Sequence, residues 1–346
     1  MQMNENSTGS SHLYWVDMGK VIGLYLMILG HGNMVSEGLK CYIYSFHMPL
    51  FFIISGLLTK DAGGGKRLII NKLFRSLMIP YFSINVLCLL FFTILEIYKG
   101  IFSLTVLKSH ILGILLGLGY ATETMQPVCS PMWFFYAMFI VKAVYVIIPQ
   151  SRISKLISIM ICFVLVKLLT AYQLDTFLPI DSAIMAYPFF VIGTECRHFF
   201  SHNSTINKKV KLTGVLFAML TLALTYFIST YNGRCDIDTM LYGKSYFLFL
   251  LTGCGISFTL MKICSCINIQ KDFAKQVLKT FCSGAPLIVG LNILVINLLY
   301  RLVISHITDS WCDLYGLISG MIIMLLFYPL ILLTKKYIPF VIGYRK

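Results

Sequence analysis

Two histidines, a lysine and an aspartate stand inside apolar runs near the start of this chain. The first run reads Tyr14-Trp15-Val16-Asp17-Met18-Gly19-Lys20, then ten residues, then His31. The second reads Phe46-His47-Met48-Pro49-Leu50-Phe51-Phe52 and continues to Ser55-Gly56. Ionisable groups in membrane segments are costly and usually face an interior cavity or a partner. Histidine titrates near neutrality, and burial favours its neutral form, which accepts a proton. Each histidine could instead cap a carbonyl inside a bundle. Two at matched depth, with a cation on the same face, favour a general base and a catalytic or transport centre.

Those residues need helices to hold them. The chain has 346 residues, 58% hydrophobic and 12% charged, with a mean hydropathy of +0.82. Soluble domains carry about 25% charged residues, so the composition predicts an all-α integral membrane protein. Apolar runs of about 20 residues, the length that crosses a bilayer, occur at 16–34, 41–59, 77–97, 132–149, 153–172, 180–200, 210–230, 244–263, 281–304 and 312–334. That makes about ten transmembrane helices. The run 101–120 carries Lys108, His110 and several glycines and is expected to be re-entrant or interfacial, with an eleventh span as the rival reading. The whole of 1–346 forms one membrane-embedded domain, with 1–13 a polar tail and the first apolar run a retained helix.

Charge orients this layout. With the N-terminus in the cytoplasm, nineteen of the 28 Lys and Arg residues fall in inward segments and six in outward ones. This is the positive-inside bias, and it places both termini in the cytoplasm. The net charge of +14 is then a topological signal, and nucleic acid is excluded as a partner. Most of the eleven cysteines lie in apolar runs, and Cys264-Ser265-Cys266 lacks the second half of a zinc pattern. No metal is expected. Cys129, Cys235 and Cys312 are expected on the outer side, with no pairing assigned.

Helix spacing relates the charged groups. Lys20 and His31 are eleven residues apart, about three turns and about 16 Å along one face. Asp17 precedes Lys20 by three and shares that face, where it is expected to hold the lysine. The second helix runs inward, so His47 returns to the depth of His31. Pro49 is expected to kink the helix and free a carbonyl that could bond the imidazole. The inner loop holds Lys60, then Gly63-Gly64-Gly65, and then Lys72 and Arg75, three apart on one face. Such a pair suits phosphates, or equally an anchor on anionic lipid. Trp133 opens a span at the outer surface, either as a membrane-belt residue or as a stacking platform for a sugar. Lys142 and Lys167 fall inside spans; Lys167 can snorkel outward, whereas Lys142 is deeper.

The pattern Asp17…Lys20, ten residues, His31, then Phe46-His47-Met48-Pro49-Leu50-Phe51-Phe52 and Ser55-Gly56, resembles the membrane acyltransferase-3 family. The nearest branch is the short one that includes fucose-acetylase-like and surface-glycan O-acetyltransferases. Lys72 and Arg75 are similar to the family's basic pair associated with acyl-CoA, and Pro80-Tyr81 and Met132-Trp133-Phe134 also match. The resemblance is strongest over 14–82. It implies O-acyl transfer from cytoplasmic acetyl-CoA to a hydroxyl of a surface glycan or its lipid-linked precursor, in a bacterial inner membrane. Implied catalytic residues are His31, His47 and Asp17. Lys20, Ser55, Lys72 and Arg75 would bind the donor, and Trp133 the acceptor. Ser55 lacks a neighbouring base and is not expected to be a nucleophile. Two positions depart from the family pattern: no acid stands in 134–142, and 283–292 lacks a histidine. The alternative is a glycan or lipid flippase without acyl transfer, which the intramembrane charges fit equally well.

Overall fold

The computed structural model describes residues 12–32, 35–59, 65–174, 176, 178–201, 208–302 and 313–343. The tail 1–11, Lys60, Gly63, Gly64 and Cys312 lie outside them. Fifteen α-helices and one two-stranded hairpin are formed by the described residues.

The first run is helix α1 (Tyr14–His31), which stops where Gly32 turns extended. The second run is broken: α2 (Glu37–Tyr44) and α3 (His47–Leu58) meet at Ser45-Phe46. Pro49 lies two residues into α3 and lacks the N–H that would continue the ladder back to Ser45. The break therefore falls just before His47. Next come α4 (Lys66–Leu73), a π-helical turn (Phe74–Met78) and α5 (Ile79–Tyr98). Helix α6 (Leu104–Leu116) closes at Gly117, whose φ of +72° suits a residue without Cβ. Its thirteen residues reach about 20 Å at 1.5 Å each, short of the ~30 Å hydrocarbon core. Segment 101–120 thus holds a helix too short to reach across the hydrocarbon core by itself.

Helix α7 (Trp133–Ile147) follows a 3-10 turn at Ser130–Met132. The rest comprises α8 (Arg152–Ala171), α9 (Ile180–Glu195), α10 (Arg197–Ser201), α11 (Lys208–Asn232), the antiparallel strands β1 (Cys235–Asp236) and β2 (Leu241–Tyr242), α12 (Tyr246–Cys266), α13 (Asp272–Ser283), α14 (Ala285–Leu302) and α15 (Asp313–Tyr337).

Helix α3 is the hub, packed most extensively on α9 and also on α1 and α12. Two glycines allow this. A Cβ on Gly56 would overlap the Phe190 carbonyl, and one on Gly193 would overlap the Ile53 backbone. Small residues at such crossings let two helix backbones meet. On the periphery, Ile153, Leu156 and Val164 of α8 and Phe217 of α11 are exposed. Apolar surface of that extent marks a membrane-facing wall.

Seven helices or helix runs among the described residues are long and apolar enough to cross a membrane, or eight if α13 and α14, bent by 74°, form one span. The protein is therefore an all-α, multi-pass membrane protein. Ten spans are not what length and apolarity alone give. Of the two remaining expected spans, α9 has sixteen residues, and α1 is diluted by Asp17, Lys20 and His31.

Candidate active site

One cavity of about 690 Å³ runs through the bundle beside α1, α3 and α7. From α1 it takes Lys20, Leu24, Met27 and His31 in helical succession. From α3 it takes His47, Met48, Phe51 and Ser55, and from α7 it takes Trp133, Phe134 and Lys142. Helix α1 runs antiparallel to α3, with Gly19 against Ile54 and Gly23 against Phe51, and α7 runs alongside α3, with Phe134 against Phe51 and Lys142 within reach of the charge of Lys20. Lys20, Ser55 and Lys142 therefore belong to one end, and His31, His47 and Trp133 stand further along.

The two histidines are linked by Tyr44. The His31 and Tyr44 rings are 6.4 Å apart and the Tyr44 and His47 rings 4.9 Å apart, both edge to face. His47 is 2% exposed, and its Nδ1 is 2.9 Å from the Ile43 carbonyl. A carbonyl can only accept, so Nδ1 carries the proton and Nε2 keeps a lone pair. The imidazole bonds Ile43 at the end of α2, rather than the Ser45 carbonyl that Pro49 leaves free. Capping and chemistry are thus compatible here, because the cap uses one ring nitrogen and leaves the other as an acceptor.

Lys20 and Lys142 line the cavity, and neither has an ion-pair or hydrogen-bond partner among the described residues. Asp17 does not hold Lys20. Its carboxylate is 2.5 Å from His12 Nε2, and it does not line the cavity. The main-chain carbonyl of Asp17 accepts from Cys282 Sγ of α13 at 3.5 Å. Lys72 and Arg75 are exposed and stand outside the cavity lining, although the adjacent Ser76 and Leu77 form part of it. Trp133 is 5% exposed, so it is a cavity wall and not a belt residue. Ser55 faces the cavity while Gly56 faces α9. Phe51 lines the cavity as well, and Phe52 is packed against Phe134 with ring centres 5.4 Å apart.

Other lining groups lay outside the sequence reading. Asp236, Asp238 and Thr239 come from the hairpin, and Gly119 and Tyr120 from the loop after α6. Ser130 Oγ donates to the Gly119 carbonyl and ties that loop to the start of α7. In sequence the two aspartates look like ordinary outer-loop acids, since nothing local says that the loop folds back. Cys129 and Cys235 are buried. Lys167 is exposed on α8, and Glu195 pairs with Lys155 at 2.8 Å. Among the described residues no group of three or more His, Cys, Asp or Glu could hold a metal ion.

No curated protein and no solved structure matches the chain at a significant level. A family model described as an acyltransferase domain, Acyl_transf_3, matches residues 13–333 and so takes in every cavity-lining helix from α1 to α14. The chain belongs to the Acyl_transf_3 family and is a membrane acyltransferase.

Proposed function

We propose that this acyltransferase moves an acetyl group from cytoplasmic acetyl-CoA to a hydroxyl of a cell-surface glycan or its lipid-linked precursor. The supporting observation is a single cavity with two unpaired lysines at one end and two histidines further along. Two cations in an apolar bundle need a counter-charge, and the phosphates of a CoA donor supply one. Lys72 and Arg75, exposed beside the same end, meet the donor before it enters. The π-helical turn after Lys72 is the kind of local widening that recurs at functional sites.

His31 acts as general base on the acceptor hydroxyl, and His47 orients that hydroxyl through its free Nε2. The hydroxyl oxygen attacks the thioester carbonyl, forming a C–O bond as the C–S bond breaks. The hydroxyl proton passes to His31 and then to the departing CoA thiolate, so no net proton is taken up. Trp133 offers a face for a sugar ring to stack on. The protein has ten spans when α1 and α9 are counted, both termini are cytoplasmic, and the membrane is a bacterial inner membrane. The nineteen-to-six distribution of basic residues supports that orientation.

Glycan O-acetylation in cells lacking the gene tests this reading. Complementation with wild type is expected to restore acetyl esters, and complementation with His31→Ala at matched membrane abundance is not. Equal restoration by both would remove His31 from the chemistry. With purified protein, Lys142→Met is expected to raise the KM for acetyl-CoA about tenfold, the scale of one charge-assisted contact.

A further inference from the structure

The hairpin between α11 and α12 brings a pair of carboxylates to the cavity that the acyl-transfer chemistry does not use. It is held firmly. Asn232, 2% exposed, donates to the Tyr242 carbonyl at 2.8 Å and accepts from the Ser245 amide at 2.8 Å, while its own carbonyl accepts from Lys244 at 2.8 Å. Cys235 and Ile237 are buried. Arg234 lies over the Tyr44 ring, 6.0 Å from its centre, so the hairpin touches the residue that links the two histidines.

None of this grip depends on Asp236 or Asp238. Asp236 Oδ1 accepts from the Asp238 amide at 3.2 Å, a bond within the hairpin. Asp238 is half-buried and lines the cavity, its carboxylate lying beside Gly119. It has no hydrogen-bond or ion-pair partner among the described residues. A carboxylate that lines a cavity with no protein partner is placed to bond a ligand that enters it. Burial pushes the Asp238 carboxyl well above the usual carboxylate range, with the charges of Asp236 and Asp181 adding to it. Burial also pushes Asp236 up to about 6, against the opposing effects of the Asp238 amide and Arg234. Two neighbouring carboxyl groups offer acceptor oxygens, and a donor wherever one of them keeps its proton. That combination matches neighbouring hydroxyls on one ring, each of which both donates and accepts.

We infer that Asp236 and Asp238 bind the hydroxyls flanking the acylated one on a sugar acceptor, so that the β1–β2 hairpin sets acceptor specificity. The inference rests on the acyl-transfer reading above. Gly119 serves it by leaving room, since a methyl group there would overlap the Asp238 carboxylate.

The test uses full-length protein in nanodiscs, radiolabelled acetyl-CoA, and the methyl glycosides of glucose, galactose, mannose, fucose and rhamnose. The best acceptor is then compared with its deoxy analogues. Asp236→Asn and Asp238→Asn keep side-chain volume, and both are expected to raise the acceptor KM about tenfold or more, the scale of a lost hydrogen bond to a charged group. Discrimination against the analogue lacking the flanking hydroxyl is expected to collapse towards unity. Gly119→Ala moves the Asp238 carboxylate without changing its chemistry and is expected to act in the same direction. Unchanged KM and unchanged discrimination in both Asn variants would overturn the proposal. So would loss of acceptor binding in EDTA with recovery on adding Ca²⁺, which would mark a cation site. If wild type releases CoA thiol but acylates no glycoside, the donor side of the reading stands and the hairpin proposal fails. If it releases no thiol even with glycan isolated from the host, the acyl-transfer reading fails as well.

Discussion

The proposed mechanism gives His47 a second job beside its cap on Ile43, and its two ring nitrogens allow the two to be divided. Nδ1 donates to the Ile43 carbonyl at 2.9 Å, and Nε2 is the acceptor. In His47→Asn the amide N–H can take the place of Nδ1, so the cap survives while the lone pair is lost. In His47→Ala both are lost. The Ile43 carbonyl also accepts from the Phe46 amide at 3.2 Å, so removing the imidazole does not orphan it. The lost hydrogen bond should then cost only about 1 kcal/mol, with a further loss for the space the ring vacates. The Asn variant should fall less than about 1 kcal/mol in stability. Loss of the hydrogen bond that orients the acceptor hydroxyl lowers the rate by roughly 10- to 100-fold, or about 1.5–3 kcal/mol of barrier. Acyl transfer from radiolabelled acetyl-CoA, measured beside the thermal unfolding midpoint, separates the outcomes. Both variants should lose transfer, and only the Ala variant should lose appreciable stability. If His47→Asn keeps transfer within about threefold of wild type, under about 1 kcal/mol of barrier, Nε2 plays no part and the residue is a cap.

Two further outcomes are expected. Gly193→Ala should lower the unfolding midpoint and the activity together, because the new methyl overlaps the Ile53 backbone and α3 carries His47; overpacking of this kind costs about 1–3 kcal/mol. Gly214→Ala, with nothing near the added methyl, is the control, and equal effects from the two would refute the close α3–α9 crossing. Stability should also depend on pH through Asp236, whose carboxyl is raised to about 6 by burial. The folded protein then binds that proton more tightly than the unfolded chain, so its contribution is complete below about 4 and is lost as pH rises towards 6. Asp236→Asn should therefore unfold at a higher temperature than wild type at pH 7.5 and match it near pH 4; parallel curves for the two would show that Asp236 is solvated.

The periodicity of α1 was enough to put Lys20 and His31 on one face, because helix geometry is local and its pitch is constant. Composition decided the membrane class, since a chain with this little charge cannot cover itself with polar surface in water. The runs at 16–34 and 41–59 and the pairing of His31 with His47 needed little more than the reversal of direction between consecutive spans. Side-chain partners were not legible in the same way. Asp17 stands three residues before Lys20, yet it pairs with His12, because a carboxylate takes whichever donor the packed chain brings nearest. The break at Ser45-Phe46 followed Pro49, but the carbonyl that captured the imidazole was set by where α2 ended. Spacing could not tell that Ser55 faces a cavity while Gly56 faces Phe190. Asp236 and Asp238 sit more than 180 residues from His47 in sequence. They meet the same cavity only because Asn232 folds the hairpin back over it, a long-range contact that no local pattern encodes.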